Sequence, residues 1–71
     1  MTIKNFDGKV ATVEFTVDEI AILNNALNEV CNGIDLEGEF DTRMGCSVEN
    51  ARGLLAGIHN LGVVMAREIS K

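Results

Sequence analysis

The 71-residue sequence contains no proline, one histidine and two cysteines, and nowhere a long apolar run. Each scarcity excludes something. A disordered tail usually carries proline, and with 46% hydrophobic and 24% charged residues and no low-complexity stretch the composition is that of a folded chain. The longest apolar segment, residues 54–65, is interrupted by Gly57, His59, Asn60 and Gly62, far from the ~20 apolar residues a membrane-crossing helix needs. This predicts no membrane association. With only Cys31 and Cys46, and no apolar secretory segment near Met1, the expected compartment is the cytoplasm. A disulfide between those cysteines would require the loop to fold back, and a reducing compartment disfavours it.

One histidine and two thiols leave little for chemistry. No Cys-x-x-Cys or His-x-x-x-His spacing is present, so neither a metal nor any other cofactor is expected. His59 falls toward the polar side of its helix, with no serine or cysteine at a spacing that guarantees contact. The expectation is a protein that is not an enzyme, with His59 on the surface. The acids Asp35, Glu37, Glu39 and Asp41 alternate like calcium-loop ligands. Counting from Asp35, however, the sixth residue is Phe40, where a calcium loop needs glycine, and the twelfth is Cys46, where it needs glutamate.

Charge is what the sequence has in quantity. The formal net charge is −5, and it is unevenly spread: residues 1–42 hold nine acids against Lys4 and Lys9, a balance of −7, while residues 43–71 hold Glu49 and Glu68 against Arg43, Arg52, Arg67 and Lys71. A strongly acidic half repels phosphate backbones and steers basic proteins toward itself. Nucleic acid is therefore not an expected partner, and a basic protein is.

Length allows one domain, residues 1–71, whose core is worth only ~3–5 kcal/mol; domains of this size often recruit a metal, disulfides or a second subunit. The pattern predicts an α+β fold, an N-terminal β-hairpin followed by two antiparallel α-helices. The hairpin covers about residues 2–15, with Asp7-Gly8 as a type I′ turn pair. It is expected to lie over one side of the helices, because two strands alone are marginal in water. Thr16 and Glu19 form a capping-box pattern, with Phe15 placed to pack on Ile20, and open a helix over about 17–32. Its apolar stripe is Ile20, Leu23, Leu27 and Val30 with Cys31 at the edge, and Gly33 is placed to end it in the left-handed conformation.

An acidic loop, 34–46, follows. Ser47 then caps a helix over about 48–69 whose expected buried face is Ala51, Leu54, Leu55, Ile58, Leu61, Met65 and Ile69. Gly53, Gly57 and Gly62 interrupt that helix at ~1 kcal/mol each relative to alanine, a cost that calls for a packing reason. Gly53 and Gly57 form a small-xxx-small pair admitting a close neighbour, with the first helix as the simplest one. Ile22, Ala56 and Val63 fall outside the main stripes and hint at a second apolar patch, consistent with a homodimer.

Two features suit partner binding. Asp35, Glu37, Glu39 and Asp41 make a compact negative patch with Phe40 as an apolar anchor among them, and a solvated loop remains the alternative reading. Asn24, Asn25, Asn28 and Asn32 share one sector of the first helix beside the apolar stripe, an unusual density for a mediocre helix former. Such a face can satisfy polar groups of a partner or of the chain's own 34–46 loop. The candidate partner-binding set is Asp35, Glu37, Glu39, Phe40, Asp41, Asn24 and Asn28.

Two strings, Ala26-Leu27-Asn28-Glu29-Val30-Cys31-Asn32-Gly33-Ile34 and Phe40-Asp41-Thr42-Arg43-Met44-Gly45, resemble short bacterial proteins that are similar to immunity proteins of polymorphic toxin and contact-dependent growth inhibition systems. The resemblance is confined to those strings. It implies a tight one-to-one complex that blocks a toxin domain, often a nuclease with a basic groove. No site residue transfers, because that group has no catalytic motif. The alternative is a small structural or regulatory homodimer, completed through the hairpin edge or the Gly53/Gly57 groove.

Overall fold

A computed structural model describes residues 1–33 and 38–69. Strand β1 (Thr2–Phe6) pairs antiparallel with β2 (Ala11–Glu14), and helices α1 (Val17–Asn28), α2 (Phe40–Met44) and α3 (Val48–Ile69) follow. The α+β class with an N-terminal hairpin before the helices holds.

The hairpin turns differently from the two-residue form expected. The register pairs Phe6 with Ala11 and Ile3 with Val13, with an irregularity between Ile3 and Asn5, so four residues form the loop. The Asp7 carboxylate decides this. Its Oδ1 accepts hydrogen bonds from the backbone N–H of Lys9 (3.0 Å) and of Val10 (2.8 Å), while the Asp7 N–H donates to the Val10 carbonyl at 3.1 Å. These bonds hold Lys9 and Val10 in the turn, with Gly8 at φ 97°. Nor does the hairpin lie over the helices: both strands are exposed except for the half-buried Val13. One tie to the helical layer is the ion pair between the Met1 amino group and the Glu19 carboxylate, at 2.5 Å.

Helix α1 begins as the sequence requires. The Thr16 hydroxyl accepts from the Glu19 N–H (3.2 Å) and the Glu19 carboxylate accepts from the Thr16 N–H (2.9 Å), which satisfies two otherwise orphaned amides. The helix ends differently. After Asn28 the chain widens into a π-helical turn over Glu29–Gly33, and Gly33 does not take positive φ. Ile34, Asp35, Leu36 and Glu37 lie outside the described residues. Within the segment expected to be loop, residues 40–44 wind into α2, which Gly45 closes at φ 75° with its N–H donating to the Asp41 carbonyl. Helix α3 starts at the Ser47 cap, whose hydroxyl accepts from the Asn50 N–H at 3.1 Å, and runs over the span the periodicity predicts.

Helices α1 and α3 pack antiparallel: Ile20 and Val17 share a groove with Gly62 and Ala66 at one end, and Asn28 shares one with Arg52 at the other. The seam contributes Ile20, Leu23, Leu27, Val30 and Cys31 from one side and Ala51, Leu55, Ile58, Gly62 and Met65 from the other, with Ile20, Cys31 and Ala51 buried. Two expected core residues are not in it. Leu54 and Leu61 face solvent, because the stripe spaced 51, 55, 58, 62, 65 is the one turned to α1. Burial of the Ile69 side chain falls outside what is described. None of the three glycines shows the packing reason the sequence called for: a Cβ at Gly62 would meet Ile20 Cγ2 at 3.5 Å, an ordinary contact, and Gly53 and Gly57 face open space.

The Glu19 bonds carry a pH dependence. The Met1 amino group first, and the Thr16 backbone N–H second, hold the Glu19 carboxyl below the ordinary glutamate value. A pKa lowered by folding adds stability that is present above the unfolded-state value and disappears as pH falls through the folded-state value. Thermal midpoints of the wild type should therefore drop through the acidic carboxylate range, and Glu19→Gln should show a shallower drop, meeting the wild-type curve in strong acid. Asp7, lowered by the Val10 and then the Lys9 backbone N–H, supplies the remaining slope. Parallel midpoint curves for the two proteins would contradict the assignment to Glu19.

Candidate partner-binding surface

The α1–α3 seam opens on its polar side into two adjoining grooves of ≈ 300 and ≈ 360 Å³ that share Asn24 and His59. The first is the more polar, lined by Asn24, Asn28, Asn60, Arg52 and His59 with Leu55 and Ala56. Of the expected binding set, Asn24 and Asn28 are thus brought together here, beside the Arg52 guanidinium, which sequence spacing does not place with them. A helical wheel fixes where Arg52 stands on α3 but not which face of α3 meets α1.

Asn24 is less available than its sequence position suggests. It occupies the same line as Ile20, Leu27 and Cys31, spaced four, three and four, so it belongs to the buried stripe rather than beside it. Its Oδ1 is buried without a hydrogen-bond partner among the described residues. An unsatisfied buried carbonyl costs about 1–3 kcal/mol, and Asn24→Leu, of similar size, should accordingly raise stability by about 1 kcal/mol in urea unfolding. A fall in the urea midpoint would mean that the carboxamide is satisfied in solution. Asn28 is exposed, and its Oδ1 accepts from the Asn32 amide at 3.1 Å, so this pair braces the end of α1.

Glu39, Phe40 and Asp41 sit elsewhere, at the start of α2, and line neither groove. Both carboxylates are exposed and Phe40 is half-buried between them. Asp35 and Glu37 lie outside the described residues. Three of the five other front-half acids have local roles. Asp7 holds the hairpin turn, Glu19 closes the capping box, and Glu14 pairs with Lys4 at 3.3 Å. Exposed pairs of this kind contribute little to stability, typically below ~1 kcal/mol. They matter here because front-half cations, not those of the rear half, answer Glu19 and Glu14.

Both thiols are free, Cys31 buried and Cys46 half-buried. Among the described residues no group of three or more His, Cys, Asp or Glu side chains is placed to hold a metal, and no helix is long and apolar enough to cross a membrane. Comparison with protein-family models, with curated proteins and with solved structures found no match for this chain.

Proposed function

We propose that this chain is an acidic, non-catalytic protein-binding module of the cytoplasm that occludes a site on a cationic protein, in the manner of an immunity protein neutralising a basic toxin domain such as a nuclease. One observation carries the reading: Glu39 and Asp41 stand exposed on either side of Phe40 at the head of α2, with no ion pair from the rear-half cations among the described residues. An apolar ring between unneutralised carboxylates suits a surface of Lys and Arg that has apolar ground between its charges. The likeness of the Ala26–Ile34 and Phe40–Gly45 strings to immunity proteins points the same way. Nucleic acid and membrane surfaces are poor partners for a −7 half.

Binding rather than catalysis is favoured by where the reactive groups lie. His59 shares its groove with carboxamides and Arg52, and neither cysteine lines it. The free thiols accord with a reducing compartment.

The test is co-purification and calorimetry with the protein encoded immediately upstream. A one-to-one complex that weakens as salt is raised supports the proposal. A folded upstream protein that does not bind, or binds with no dependence on salt, rejects it.

A further inference from the structure

On a flank beside the α1 seam, helix α3 presents a second apolar line. Leu54, Leu61 and Val64 are 59%, 44% and 54% exposed, and Gly57, which completes their three-four-three spacing, has open space where a Cβ would stand. Gly53 is equally open, so the small-residue pair does not admit α1, as the sequence suggested, but faces outward. No charged residue occurs at 50, 53, 54, 57, 61 or 64, and Glu68, four residues beyond Val64, is where the line first meets a charge, at the C-terminal end of α3. This is the pattern of a two-helix seam left without its second helix.

The molecule is more open than a compact domain of its length, in part because both strands of the hairpin stand exposed off the helical layer. The chain exposes 5513 Å², whereas a compact monomer of its mass exposes about 4,300 Å². Its radius of gyration is 14.0 Å, against about 11 Å for a compact domain of this length.

We infer that a second copy of this chain covers the face, with the two α3 helices antiparallel about a twofold axis level with residue 59. In that register Leu54 lies opposite Val64 of the second copy, and Leu61 of each copy enters the gap left by Gly57 of the other. Charge selects the copy and its direction. Glu49 and Arg67 are exposed on the same flank of the line, and an antiparallel twofold sets like flanks together. Arg67 then crosses Gly53 of the second copy and reaches its Glu49, and symmetry makes the contact twice. A parallel pair would oppose this flank to the one that α1 already covers, leaving both charges unmatched and Gly57 against Gly57. Helix α3 carries two acids and two arginines, so copies of a −5 chain meet here on a balanced element.

Sedimentation equilibrium of the full chain over micromolar concentrations reads the outcome. The wild type should show a monomer–dimer equilibrium, and Leu61→Glu, which buries a carboxylate in the seam twice per dimer, should weaken it about 100-fold or more. Gly57→Ala should raise the helical signal of the monomer yet weaken the dimer about tenfold, which separates association from folding. Glu49→Arg should weaken the dimer, and adding Arg67→Glu should restore it to within about threefold of the wild type. A wild type that stays monomeric at the highest concentration overturns the inference. So does a dimer indifferent to Leu61→Glu, or a charge exchange that fails to restore. Glu39 and Asp41 lie on α2, outside this seam, so dimerisation and binding of a cationic partner stand or fall separately.

Discussion

Ile20→Ala is expected to abolish the cooperative thermal transition of this protein at low concentration, leaving a chain mostly unfolded at 25 °C. Ile20 is 1% exposed and is the large side chain that is fully buried among the described residues, seated against Gly62 of the facing helix. Removing three carbons from such a site costs about 2–5 kcal/mol through lost transfer energy and the cavity left behind. A domain of this length holds only ~3–5 kcal/mol in all. The comparison decides the outcome, because the seam between α1 and α3 is the core and Ile20 is at its centre. Ile22→Ala is the control: at 67% exposure it should change stability by no more than about 0.5 kcal/mol. Circular dichroism on both variants reads the result, and an unshifted midpoint for Ile20→Ala would show that the seam is not what holds the fold. If two copies associate through α3, raising the protein concentration should partly restore the transition, since association draws on the folded state alone.

The second large effect concerns binding. Glu39→Gln with Asp41→Asn removes two exposed negative charges from the head of α2 and leaves Phe40 in place. Exposed charges act mainly on encounter, so the association rate with the cationic partner should fall about tenfold at low salt, with dissociation changing far less. Surface plasmon resonance across a salt series separates these terms. Rates for variant and wild type should converge at high salt, where the Debye length shrinks to a few ångströms, about 3 Å at 1 M. Phe40→Ala should act oppositely, raising the dissociation rate with little effect on encounter. The double neutralisation should not alter the thermal midpoint much, because the carboxylates make no ion pair among the described residues. An association rate untouched by the double neutralisation would remove α2 from the docking surface.

Local signals are legible wherever a side chain answers its own backbone within a few residues. The Thr16/Glu19 box and the Ser47 cap are of this kind, and both helices start where those residues stand. The hairpin loop departs from expectation for the same reason: Asp7 also bonds locally, but to Lys9 and Val10, which widens a turn that Asp-Gly alone suggests is tight. Helix α2 leaves a fainter trace in Gly45, whose left-handed conformation closes it after a single turn or so. The π-helical turn after Asn28 has no sequence signal that periodicity can read.

Face assignment lies beyond the sequence for a definite reason. Along α3 the lines 51, 55, 58, 62, 65 and 54, 57, 61, 64 both obey helical spacing, and a pattern that repeats every three or four residues cannot say which of two adjacent lines meets α1. In the fold the first line meets α1, with Gly62 beside Ile20, and Leu54 and Leu61 are turned outward. The same choice draws Asn24 into the seam and sets it beside Arg52 and His59, while Glu39 and Asp41 stay apart on α2. The amino-acid order by itself determined where α1 and α3 begin, that acids crowd the first forty residues, and that thiols and imidazole are scarce. Tertiary packing alone decided which apolar line is covered, because burial is set by the shape of a neighbour that the local pattern does not encode.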